Sequence, residues 1–202
     1  FDPTNFVGGV SQENWDRYND SGSSYAPLMN RCIAGQYPAA STFKAFTGLA
    51  ALNYGFATSS TSWNCSGTWT GFGEAYAQKC WLTTGHGAID LRHGIVVSCD
   101  VVFYEIAKNF YDASSKIGDD AMQNYIKEFG LGSKTGIELP DEAQGVIPTP
   151  EWKKEYFRNA PEEGQWQPGD MTNMVIGQGN VLVTPLQMAV GYAGIATGTL
   201  PV

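Results

Sequence analysis

Residues 56–85 carry Ser, Thr, Gly, three Trp and two Cys, and they show no helical period. An unstructured connection of that length is uncommon inside a compact domain, so the segment reads as a functional or stapled loop. Around it the chain reads as helix. One helix is expected over 40–54, stopped by Gly55, and a second over 99–111, with Val102, Tyr104–Ile106 and Phe110 at helical spacing. A third is expected over 119–129, with Asp120 near its start and Gly130 after its end. Thr149–Pro150 opens a short helix, and Thr184–Pro185 caps one that runs to about Thr197, before Gly198. Strand signals are confined to 6–10 and 175–176, both among Gly-rich turns, and the polar stretch 1–26 reads as irregular. The expected fold class is mostly α, with long loops and little or no complete sheet.

The charge balance narrows the function. Twenty acidic against twelve basic residues give a net charge of −8 over 202 residues. Such a surface repels phosphate backbones, so nucleic acid is not an expected partner. At 43% hydrophobic and 13% aromatic, the chain can bury a core. Its longest uncharged run, 181–202, is broken by Pro185, Gln187 and several Gly and Thr, and reads as buried helix and turn rather than a membrane span. No targeting segment is visible, and the chain does not begin with Met. It is expected to be cut at both ends.

Ser41-Thr42-Phe43-Lys44 places a serine and a lysine on one helix face, three residues apart. A desolvated amine can take the proton of a serine hydroxyl, and a helix N-terminus offers N–H groups to an oxyanion. By ordinary residue usage, such a pair occurs by accident roughly once in a chain of this length. Its context raises it: a Pro38 turn precedes it, and Ser98-Cys99-Asp100 follows just before the 99–111 helix. In an extended turn Ser98 and Asp100 would face one cleft and Cys99 the other side. On spacing alone, Ser98 as a simple N-cap is the favoured reading.

Four segments occur in fixed order: Tyr37-Pro38 to Lys44; Ser98 to Asp100 followed by Val101-Val102-Phe103-Tyr104; Thr135-Gly136-Ile137-Glu138-Leu139-Pro140; and Gly177-Gln178-Gly179 to Thr184-Pro185-Leu186-Gln187-Met188-Ala189. Together they resemble the transpeptidase domain of class B penicillin-binding proteins, of the elongation-type branch. The resemblance covers nearly the whole chain. It implies an acyl-serine D,D-transpeptidase that cross-links peptidoglycan stem peptides ending in D-Ala-D-Ala and is acylated by β-lactams. Ser41 would be the nucleophile, Lys44 its base and Ser98 the relay. Asp100, where many relatives have Asn, would mark the subtype. It also implies the helical middle portion of an α+β fold without its five-stranded sheet, covering 1–202, and no cofactor for catalysis. The parent protein would lie at the extracytoplasmic face of the membrane, beside a membrane glycosyltransferase. Lys134-Thr135-Gly136 matches the family's third motif in letters only. Ile137 follows it, a turn precedes it, and it comes before the Gly177 block. The true motif and the early strands are expected outside 1–202, so the piece alone should acylate slowly.

Cys65, Cys80, His86 and Cys99 form a second constellation. Three thiolates and an imidazole suit tetrahedral zinc, although their spacing is not that of a zinc finger. Some members of the elongation-type branch resemble this arrangement, with a metal held beside the second motif. A Cys65–Cys80 disulfide and free thiols are the competing readings. Cys32 has no partner in any scheme and reads as a small buried hydrophobe, and His93 as a solvated or capping residue. Trp63, Trp69, Phe72, Tyr76 and Trp81 could line a substrate groove or pack the loop onto the helices. Asp90, Asp119, Asp120, Glu162 and Glu163 read as solvated charge. Two readings rival the enzyme: a β-lactam sensor that is acylated without turnover, marked by a cytoplasmic signalling domain in the full protein, and a zinc-stapled structural fragment.

Overall fold

The computed structural model describes residues 2–20, 22 and 26–201. Eight α-helices are present among them: α1 (Gln12–Asn19), α2 (Lys44–Asn53), α3 (Leu91–Val96), α4 (Asp100–Ile117), α5 (Ala121–Lys127), α6 (Pro150–Tyr156), α7 (Pro168–Met174) and α8 (Pro185–Thr197). The mostly-α expectation holds. No helix of the described residues is long and apolar enough to cross a membrane.

The core lies where α2 and α4 meet. α2 packs on α3, α4 and α5, and α4 also packs on α7. Phe43, Phe46, Val102, Phe103, Ile106, Met122 and Ile126 are fully buried there. α4 is long because its apolar residues at 101–104, 106, 107 and 110 give a broad buried face. Asp100 in its first turn and Lys116 in its last both suit the helix dipole, and Gly118, at φ 99°, ends it. α8 begins with Thr184 and Gln187 exchanging hydrogen bonds across its first turn, with Pro185 at its first position.

The 56–85 loop is more ordered than its sequence suggests. β1 (Ser62–Cys65) pairs antiparallel with β4 (Gly87–Asp90), Cys65 opposite Gly87 and Ser62 opposite Asp90. β2 (Thr68–Trp69) pairs with β3 (Gln78–Lys79). Strands of two to four residues cannot show an alternating period, which is why the pattern hid them. Backbone fit fixes the register instead: Cys80 N–H donates to Gly67 O at 3.0 Å. Gly67 has φ 92°, and a Cβ there would lie 2.0 Å from Thr83 O.

Other expectations failed for identifiable reasons. The strand at 6–10 does not form, because Pro3–Phe6 makes a 3-10 turn capped by Asp2, which accepts from Thr4 N–H at 2.9 Å. Val175 and Ile176 are the exit of α7, not a strand. The backbone pairing nearby runs instead between Tyr37 and Val183 and between Val146 and Leu182. α1 lies inside the stretch read as irregular, nucleated by Ser11 accepting from Asn14 N–H. The part of that stretch at 21 and 23–25 lies outside the described residues. Cys32 is exposed rather than buried, because neighbouring Ile33 takes the core position.

Phe46 touches Phe43, Phe129 and Tyr192 by ring contacts and has no exposed surface. Phe46→Ala should destabilise the fold by about 3–5 kcal/mol, read from urea unfolding.

Candidate active site

Ser41 sits on a 3-10 turn, Ala40–Phe43, that leads into α2. Ala40 enters the turn with φ 49°, uncommon for a residue with a Cβ. Its N–H donates to Gly177 O at 2.8 Å, and Tyr192 Oη donates to Thr42 O at 2.8 Å. Thr47 Oγ1 donates to Val175 O at 2.9 Å. The turn carrying Ser41 is therefore clamped by the exit of α7 and by α8. Gly177 has φ 71°, and a Cβ there would lie 2.4 Å from Ala40 O, so only glycine permits this approach.

Lys44, the first residue of α2, is 1% exposed. Its Nζ donates to Ser98 O at 2.9 Å, Ser98 Oγ at 3.0 Å and Asp100 Oδ1 at 2.6 Å. Three acceptors match the three donors of an ammonium. Ser98 Oγ in turn donates to Ser41 Oγ at 2.8 Å. The structure thus brings Ser41, Lys44, Ser98 and Asp100 together, with a detail the helix spacing did not give: the Ser98 hydroxyl bonds both Lys44 and Ser41. Ser98 is not an N-cap. It lies between α3 and α4 with φ 54°, and this reversal sends Ser98 and Asp100 to Lys44 while Cys99 goes to the sulfur cluster.

That cluster is built by the ends of short elements. Cys65 ends β1, Cys80 follows β3, His86 precedes β4, and Cys99 stands at the N-cap of α4. An N-cap is ordinarily Ser, Thr, Asp or Asn; Cys99 makes no side-chain cap bond and has no exposed surface. The four ligand atoms lie within 4.8 Å of one another. His86 Nδ1 is 3.6 Å from both Cys65 Sγ and Cys80 Sγ. A tetrahedral zinc with Zn–S of about 2.3 Å and Zn–N of about 2.0–2.1 Å has N–S edges of about 3.6 Å. His86 Nε2 is buried without a hydrogen-bond partner. Burial pushes the Cys99 thiol up to about 12, reinforced by the neighbouring thiols. Burial acts on Cys65 in the same direction, but backbone N–H groups of His86 and Gly67 outweigh it and hold that thiol below its ordinary value. Three ionised thiols could coexist here only with a cation among them. The donor set fits zinc. No disulfide joins the cysteines of the described residues.

Several of the remaining candidates have structural roles. Trp69 is buried, donates to Glu105 Oε1 at 2.7 Å and packs on Phe72 and Tyr104, so it fastens the loop to α4. Asp90 caps α3 by accepting from His93 N–H, and His93 itself is exposed. Lys134-Thr135-Gly136 lies in a loop. Glu142 is buried and accepts from Thr135 N–H at 2.7 Å and Thr135 Oγ1 at 2.6 Å, while Gln187 Nε2 donates to Ser133 O at 2.6 Å. The similarity to a catalytic motif covers a loop staple. Tyr192, Phe103 (ring centroid 5.3 Å from Lys44 Nζ) and Trp81 border the site, and of these Tyr192 had no motif to announce it.

The family described as penicillin binding protein transpeptidase domain matches residues 1–201. The chain belongs to this family. It is similar to the peptidoglycan D,D-transpeptidase MrdA of Acinetobacter baumannii, 33% identical over 96% of this chain and 27% of that protein. It is similar in structure to penicillin-binding protein PBP2 of Helicobacter pylori, solved in complex with MreC, at 33% identity and TM-score 0.80, over 95% of this chain and 33% of that one. It also resembles the penicillin G acyl-enzyme of penicillin-binding protein A from Mycobacterium tuberculosis, at 26% identity and TM-score 0.71, over 92% of this chain and 38% of that one. These likenesses put the domain in the elongation-type class B branch. It spans about a quarter of the length of the curated relatives it matches.

Gly177→Ala should cost about 1–3 kcal/mol of stability through strain at a positive φ, read as a lowered melting temperature. Burial alone would raise the Glu142 carboxyl; Thr135 and the Gly136 N–H outweigh this and hold it below its ordinary 4.5. Its contribution to stability is complete above that ordinary value and is lost as pH falls through the lower folded one. Glu142→Gln should lower the melting temperature at neutral pH and leave a shallower fall in acid.

Proposed function

We propose that this domain belongs to a peptidoglycan D,D-transpeptidase of cell-wall elongation and supplies its acylation machinery. The Ser41–Ser98–Lys44 hydrogen-bond chain carries the reading. A neutral Lys44 can keep two donors, to Ser98 O and Asp100 Oδ1, and turn its lone pair to the Ser98 hydroxyl. Ser98 Oγ then accepts from Ser41, reversing the resting direction. Ser41 Oγ attacks the carbonyl between the two D-Ala residues of a stem peptide, and its proton passes through Ser98 to Lys44. Returned to the leaving amine, that proton releases the terminal D-Ala and leaves an acyl-Ser41 ester. The amine of a second stem peptide attacks the ester and gives up a proton, which passes by Lys44 and Ser98 to Ser41 Oγ as the acyl–Oγ bond breaks, so the cross-link forms and the Ser41 hydroxyl is restored. A β-lactam would acylate the same oxygen by ring opening, as in the penicillin G complex of the relative. No step needs a cofactor.

Cys65, Cys80, His86 and Cys99 would hold a structural zinc, which supplies a cross-link between the loop and the turn of Ser98. The extracytoplasmic face of the membrane is the fitting location for an enzyme of cell-wall precursors. A membrane glycosyltransferase of the elongation machinery is the partner the reaction implies, since it makes the strands to be cross-linked. The MreC complex of the Helicobacter relative adds a second candidate.

In the full-length protein, a fluorescent penicillin should label wild type covalently, and Ser41→Ala should abolish the label. Lys134→Ala should keep it. Label retained by Ser41→Ala would sink the assignment, and labelling without any cross-linking activity would favour the sensor reading. For the metal, a chelator, Cys99→Ser and His86→Ala should each lower thermal stability. A His86→Ala protein as stable as wild type, holding a Cys65–Cys80 bridge, would rule zinc out.

A further inference from the structure

Trp81 follows the candidate ligand Cys80 and lies five residues before His86. Its side chain is 62% exposed, high for an indole. What fixes it is polar. The backbone N–H donates to Asp100 Oδ2 at 3.0 Å, and the indole Nε1–H donates to Val97 O at 3.0 Å. The ring meets His86 edge to face, with centroids 5.4 Å apart.

These two bonds bracket Ser98. Val97 is the C-cap of α3 and directly precedes Ser98, at a helix end where carbonyls lack intrahelical partners. Asp100 is the second residue after Ser98, and its other oxygen accepts from Lys44. Between them Ser98 holds φ 54°, a conformation a non-glycine residue keeps only when its surroundings over-determine it. Cys99, the remaining residue of the turn, is held in the cysteine–histidine cluster. Each side of the strained residue is thus tied to the segment 80–86.

We propose that Trp81 is a positioning residue for acyl transfer, whose indole N–H holds the Val97 carbonyl so that Ser98 stays between Ser41 and Lys44. The proposal rests on the acyl-transfer reading above. Without that donor the turn relaxes toward negative φ, and the Ser98 hydroxyl leaves the 2.8 Å and 3.0 Å reach of Ser41 and Lys44. The reacting atoms stay present and the relay between them loosens. The proton step slows, while the noncovalent fit of the ligand is untouched.

The test uses the full-length protein and a fluorescent penicillin, with stopped-flow separation of the noncovalent dissociation constant from the acylation rate constant. Trp81 is replaced by 3-benzothienylalanine, which keeps the ring shape and lacks the N–H, and separately by phenylalanine. Both should lower the acylation rate constant by about threefold to tenfold, the worth of one neutral hydrogen bond. The dissociation constant and, for the isostere, the melting temperature should stay at wild-type values. A 5-fluorotryptophan protein, which keeps the donor, should acylate as wild type. An unchanged rate constant in the isostere overturns the proposal. So does a weakened dissociation constant at unchanged rate, which would make the ring a ligand contact. Ser41→Ala runs alongside: label surviving there breaks the underlying reading whatever Trp81 does.

Discussion

A lysine amine buried at the start of α2 needs acceptors, and the placement of those acceptors sets how α2, α3 and α4 meet. Lys44 is 1% exposed, and an unpaired buried charge costs several kcal/mol. Its acceptors come from one turn more than fifty residues away: the carbonyl and hydroxyl of Ser98 and the carboxylate of Asp100. To deliver them, α3 must end and α4 begin directly against the first turn of α2. The core contacts among α2, α3 and α4 run on from that point. Satisfying one buried amine and bringing the Ser98 hydroxyl between Lys44 and Ser41, the relay proposed above, are the same geometric requirement.

The turn that meets the requirement is strained, and its opposite side shows how it is held. Cys99 occupies an N-cap position without capping, so helix α4 forgoes a contribution of about 1 kcal/mol that Ser or Asp would make there. The thiol instead joins Cys65, Cys80 and His86. Those residues close two small antiparallel ladders whose strands are too short to be stable alone. A metal among them would tie ladders and turn together at one point, with binding energy acting as folding energy. The acidic and hydroxyl groups of the turn face the amine, and the thiol faces the staple.

Much of this was legible in the sequence, for reasons that differ by residue. Ser41 and Lys44 share a helix face by spacing, and Thr184–Pro185 marks the start of α8; that Gln187 closes the cap from its third position came only from the structure. Ser98 and Asp100 became interpretable only through the ordered set of motifs, since spacing favoured an N-cap for Ser98. The strands at 62–65 and 87–90 were hidden because four residues carry no period, and their pairing depends on Gly67 and on the cysteines. Cys32 was misplaced because burial is decided by which neighbour reaches the core, and Ile33 does. Trp81 was visible only as one aromatic among five. Two N–H donors distinguish it, and their targets exist only after folding.

The site is assembled at the ends of elements rather than along them. Ser41 precedes α2, Ser98 joins α3 to α4, and Gly177 follows α7. Two of the non-glycine residues with positive φ, Ala40 and Ser98, lie in this site, one directly before Ser41 and one bonded to it. Element ends are where orphan N–H and C=O groups await partners and where φ can turn positive. They are also where rigidity is weakest, so each needs an outside clamp. Gly177 and Tyr192 clamp the Ser41 turn, and Trp81 and Cys99 clamp the Ser98 turn. The clamps come from different parts of the chain, α7 and α8 on one side and the 56–85 loop on the other. The loop that interrupts the helical pattern thus supplies one of the two sides from which the Ser98 turn is held, the other being Lys44.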